Sequence, residues 1–66
     1  MSVLMDALMT RDDLARYLGV ARKTVERWAR AGIGPQEIRI RGVIRYRRAD
    51  VEEWLTRQQQ GGGDTR

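Results

Sequence analysis

The stretch Ala21-Arg22-Lys23-Thr24-Val25-Glu26-Arg27-Trp28-Ala29-Arg30-Ala31 decides how this chain is read. Ala21, Val25, Trp28 and Ala29 recur at i, i+4, i+7 and i+8, the spacing of one face of an α-helix. Arg22, Lys23, Glu26, Arg27 and Arg30 fall on the other side, so one helix offers an apolar stripe to a core and a row of cations to its surroundings. Two readings of that row stand side by side. It is a solvated basic face of the kind many surface helices carry, or it is a face that enters the major groove of DNA. The flanking sequence bears on the choice.

Upstream, Thr10 can cap a helix running from about Arg11 to Leu18, with Asp13 as the reciprocal acceptor in a weaker form of the capping box. Asp12 and Asp13 suit the positive end of that helix, and Met9 and Leu14 are spaced for a hydrophobic staple. Leu14, Ala15 and Leu18 face inward, and Gly19 can take the left-handed conformation that ends a helix. Gly19 and Val20 leave only a short turn before the next helix, which predicts a helix-turn-helix with Val20 filling the angle. Gly32 stops the second helix, and Ile33, Gly34 and Pro35 form a connector that cannot continue it.

Downstream the period changes from helical to two. Ile38, Ile40, Ile44 and Tyr46 alternate with Arg39, Arg41, Arg45 and Arg47 about a turn at Arg41, Gly42 and Val43. This predicts a two-stranded hairpin with one apolar face, packed on the helices, and one arginine face. Mixed charge would serve solubility better, whereas four arginines on one face repel each other unless an anion lies across them. A last helix is expected from about Ala49 to Arg57, with Val51, Trp54 and Leu55 inward and Asp50, Glu52 and Glu53 near its positive end. Trp28 and Trp54 read as core anchors. The expected organisation is an N-terminal arm over residues 1–9, frayed or packed on the core, a folded domain over 10–57, and a disordered polar tail over 58–66.

Composition narrows the function. Sixty-six residues allow one small domain, and the absence of cysteine and histidine removes disulfides, a thiolate nucleophile and the common zinc sites. The seven glycines form no phosphate-binding loop, and the acids are explained as helix-start charges, so no enzyme, cofactor or metal is expected. No apolar run is long enough to span a bilayer, and Asp6 interrupts what a secretory signal would need, which leaves a cytoplasmic protein with no membrane partner. Net charge is +4, but residues 22–48 hold nine basic side chains against two acids, while the rest of the chain is net acidic. Such asymmetry suits a polyanion. Twelve of the thirteen cations are arginine, the side chain suited to bidentate contact with phosphates and guanine edges.

Three blocks together resemble the excisionase (recombination directionality factor) family of winged helix-turn-helix proteins, related to MerR-type DNA-binding domains. They are Leu8-Met9-Thr10 with Leu14-Ala15 and Tyr17-Leu18-Gly19-Val20; Arg22-Lys23-Thr24-Val25 with Arg27-Trp28 and Gly32; and Ile44-Arg45-Tyr46-Arg47-Arg48-Ala49-Asp50-Val51 with Trp54-Leu55. The resemblance covers about Leu8 to Arg57 and implies a small α+β winged helix-turn-helix: helix-turn-helix, hairpin wing, short C-terminal helix. It also implies double-stranded DNA as partner, with the second helix in the major groove and the wing in an adjacent minor groove. Arg22, Lys23, Thr24, Glu26, Arg27 and Arg30 are then the candidate contacts of the recognition helix, and Arg39, Arg41, Gly42, Arg45 and Arg47 those of the wing. Arg41 is the foremost minor-groove candidate, because a narrow groove concentrates negative potential and Gly42 allows close approach. Thr24 has two readings, a hydroxyl to phosphate or part of the helix start. The chain ends soon after Trp54, where MerR-type regulators continue into a long dimerising helix, so no small-molecule effector is expected. Integrase and head-to-tail self-association on DNA are the further partners the resemblance suggests. The function implied is that of an excisionase that bends attachment-site DNA and directs integrase toward prophage excision. A small phage-type transcriptional regulator using the same surface is the alternative, and an adaptor docking an acidic protein is a third.

Overall fold

The computed structural model describes residues 8–62, and the remainder of the expected arm and tail, 1–7 and 63–66, lies outside the described residues. The elements in order are β1 (Leu8–Met9), α1 (Arg11–Leu18), α2 (Arg22–Ala31), β2 (Ile38–Ile40), β3 (Val43–Arg47) and α3 (Arg48–Gly62). They build the small α+β, winged helix-turn-helix architecture expected from the sequence.

Helix α1 begins where its cap predicts. The Thr10 hydroxyl accepts from the Asp13 amide at 2.9 Å and the Thr10 amide donates back to the Asp13 carboxylate at 3.0 Å, a complete capping box. Both helices of the pair end alike. Gly19 and Gly32 are left-handed, and the amides of Val20 and Ile33 bond back to the carbonyls of Ala15 and Trp28, at 2.9 and 3.0 Å. Helix α2 starts one residue later than its apolar spacing suggests. Ala21 is extended, exposed and has no side chain with which to cap, so it contributes only its carbonyl, which accepts from Thr24 and Val25.

The sheet departs from expectation in two ways. It has three strands in the order β1-β3-β2, since Leu8 and Met9 pair antiparallel with Arg47 and Tyr46. Two residues are too few to show a period, so β1 has no sequence signal. The hairpin also closes on two residues, not three: Ile40 pairs with Val43, Arg39 with Ile44 and Ile38 with Arg45. Directly opposed residues share a face, so Ile38, Ile40, Val43, Arg45 and Arg47 lie on one side and Arg39, Ile44 and Tyr46 on the other. The arginine face and the isoleucine face expected from alternation therefore do not exist as such. A one-residue change in register exchanges the faces of a strand, and loop length sets that register.

The core is small. Leu14, Ala15, Val25, Tyr46 and Val51 form one buried cluster, with Met9, Leu18, Val20, Ile44 and Leu55 packed against it half-buried. Trp54 is buried and tilted against half-buried Trp28, ring centres 5.5 Å apart, while its indole N–H donates to the Ile33 carbonyl at 2.9 Å. That bond fastens the connector after α2 to α3. Ile40, expected to face the helices, is exposed at the hairpin tip.

Helix α3 follows β3 without a loop and runs to Gly62, five residues past the expected end. Residues 58–62, expected to be disordered, are helical. Extending an existing helix costs only one residue's freedom per hydrogen bond gained, and glutamine is a good helix former, so apolar residues are not required.

Candidate nucleic-acid interface

The cations divide by what they touch. Arg11 pairs with Glu37 at 3.2 Å, Arg16 with Asp13 at 3.1 Å, Arg48 with Glu52 at 3.6 Å and Arg57 with Glu53 at 3.5 Å. Arg22 bridges Asp12 at 3.1 Å and Glu26 at 3.0 Å, and Arg39 stands 3.9 Å from Glu37. Among the described residues, Lys23, Arg27 and Arg30 of α2 and Arg41, Arg45 and Arg47 of the hairpin have no carboxylate partner. All six are among the candidates drawn from the sequence.

On α2 these three recur at i, i+4 and i+7, a ridge on the side away from buried Val25. Like charges at that spacing oppose helix formation unless an anion relieves them. Glu26 lies at the edge of the ridge that faces the hairpin, half-buried, in company with Arg30, Arg11, Glu37 and Arg39 around one open groove of about 420 Å³. Thr24 lies on the opposite flank, half-buried, and its hydroxyl has no hydrogen-bond partner among the described residues.

The hairpin carries its cations on both faces and at its tip. Arg41 and Gly42 form the turn, both with positive φ, at 47° and 86°. This is the geometry of a type I′ turn, whose twist matches that of the strands it joins. Glycine adopts it freely, whereas arginine does so at a cost. Arg45 curls back to donate to the Ile44 carbonyl at 2.8 Å and lines a second groove of about 420 Å³, with Gly42, Arg22 and Thr10. Arg47, the last strand residue, is exposed on the outer face.

Arg11 was not singled out by any motif, yet it borders both grooves. Its guanidinium donates to the Tyr46 hydroxyl at 3.3 Å and to Glu37 at 3.2 Å, and the same hydroxyl lies 3.3 Å from Glu37. These contacts span 26 and 35 residues of sequence, so no local pattern could have found them. The bond to Tyr46, with that to Glu37, raises the Arg11 pKa above its ordinary value. Burial pushes the Tyr46 phenol up, so it stays protonated and can donate to Glu37 at neutral pH. The network holds the start of α1 against the hairpin and so fixes the wing beside α2.

A surface of this kind, with arginines on an exposed helix and an adjoining hairpin that have no acidic partner among the described residues, suits the phosphate backbone and base edges of a nucleic acid. Among the described residues no helix is long and apolar enough to cross a membrane. No match to the chain was found among curated proteins or among solved structures. A family model described as a helix-turn-helix domain does match, over residues 8–59, from β1 through most of α3. With that match covering the capped first helix, the turn, α2 and the hairpin, the chain belongs to the helix-turn-helix domain family, a DNA-binding domain found in excisionase-like proteins.

Proposed function

We propose that this DNA-binding protein is an excisionase: it binds and bends attachment-site duplex DNA so that integrase runs toward prophage excision. Helix α2 enters the major groove with Lys23, Arg27 and Arg30 foremost, and the hairpin tip at Arg41 and Gly42 reaches an adjacent minor groove. The observation that carries the reading is that, among the described residues, the cations without acidic partners gather on those two elements. Arg22 and Arg39, already paired, serve the frame of the site as much as its contacts.

Bending follows from two docking elements on one rigid body. A helix in the major groove and a hairpin in the adjacent minor groove are held at one fixed separation, so the duplex bends to meet both, and deformation of this kind costs a few kcal/mol that the added contacts offset. Neighbouring copies bind head to tail in this reading, a heterologous contact that the direction of the duplex propagates instead of closing.

A purified recombination reaction with integrase and attachment DNA tests the reading. Stimulated excision with suppressed integration is the expected result. Specific binding with recombination unchanged in both directions would sink it and leave a transcriptional regulator.

A further inference from the structure

Helix α2 carries one acid, Glu26, in the middle of its cations. A carboxylate there weakens attraction to phosphate, so its role is not general affinity. Its Oε2 accepts from Arg22 Nε at 3.0 Å, and the same guanidinium donates through Nη1 to Asp12 of α1 at 3.1 Å. Arg22 is therefore anchored on α1 and holds the Glu26 carboxylate in one position. The second oxygen, Oε1, has no hydrogen-bond partner among the described residues, and the side chain is about one-third exposed, 33%. The tie between α1 and α2 needs only Arg22 and Asp12, which leaves that oxygen without a structural task.

An ionised carboxylate only accepts hydrogen bonds. In the major groove, guanine and thymine turn acceptors outward, and adenine sets its N7 acceptor beside its amino donor, whereas cytosine presents the N4 amino group alone. We infer that Glu26 selects a cytosine by accepting from its N4 amino group through Oε1, with Arg22 as the positioning residue. Arg22 also offsets the acid's charge, which lets it sit between phosphates. This inference rests on α2 lying in the major groove.

The test uses the full chain and a set of duplexes in which each base pair of the footprinted site is changed in turn. Wild-type protein should prefer cytosine at one position by fivefold or more, as expected for a single good base contact, roughly. In Glu26→Gln the preference at that position should move to adenine, whose N6 and N7 match an amide, and binding to unrelated duplexes should tighten. In Glu26→Ala the four bases should become equivalent there. If both variants tighten on every duplex by one factor and the base ranking is unchanged, the inference is overturned. Salt titration of the wild type in the same series reports on DNA binding itself, so its failure is told apart from a failure of Glu26 to read a base. Melting curves for each variant separate a lost contact from a lost fold.

Discussion

Thr10 and Asp13 show how far single side chains set local structure here. Their reciprocal bonds fix the first turn of α1, and the amide of Thr10, followed by Arg16, holds the Asp13 carboxyl below its ordinary value. Thr10→Ala should cost about 1 kcal/mol, read as a melting temperature lower by about 4–8 °C for a domain of this size. A carboxyl whose folded pKa lies below its unfolded one adds stability above the unfolded value and loses it as pH falls through the folded one. Wild-type melting temperature should therefore drop as pH falls below the ordinary aspartate value of 3.8, and Asp13→Asn should flatten part of that drop. Arg27 belongs to the same scale. With no acid holding it among the described residues, Arg27→Ala should leave melting unchanged and cost about 1–3 kcal/mol at the specific site, with much less effect on random duplex. Equal loss on both, measured by titration, would make Arg27 a phosphate contact.

At the scale of the element, the hairpin is decided by its turn. Arg41 occupies a left-handed position that asparagine tolerates better, so Arg41→Asn should raise or preserve the melting temperature while weakening DNA binding. Such opposite movement would place the arginine there for contact. Gly42→Ala meets no neighbouring atom, so its penalty is conformational alone, about 1–3 kcal/mol by melting. The helices were legible in advance because capping box, glycine stop and apolar spacing are local signals, and Thr10, Gly19 and Gly32 sit where they must. The faces of the hairpin were not. Alternation along each strand is local, but the parity between strands depends on whether two or three residues close the turn, and Arg41 gives no sign of accepting positive φ. The ends of β1 and α3 were hidden for a related reason: pairing by Leu8 and helix extension through Gln58 leave no periodic trace.

Taken whole, the molecule is a small core with a charged frame around it. A domain of 66 residues has about 3–10 kcal/mol of stability by size, and Leu14→Ala, at the fully buried centre, should remove about 2–5 kcal/mol of it. Thermal or urea unfolding should show the midpoint of that variant lowered by the corresponding amount. Binding to duplex DNA should weaken linearly in log salt, by about 0.9 per phosphate contacted, with the number of contacts read from the slope. The amino-acid sequence by itself determined the helix-turn-helix, the site of the hairpin and the set of candidate cations, because periodicity, caps and charge need only near neighbours. Helical spacing already offers the pairs Arg16 with Asp13, Arg22 with Glu26, Arg48 with Glu52 and Arg57 with Glu53, and tertiary structure alone decided the distant ones. Arg22 meets Asp12 across the turn, and Arg11 meets Glu37 and Tyr46 across the fold. Opposite charges pair by distance in space, and for partners on different elements no reading along the chain contains that distance.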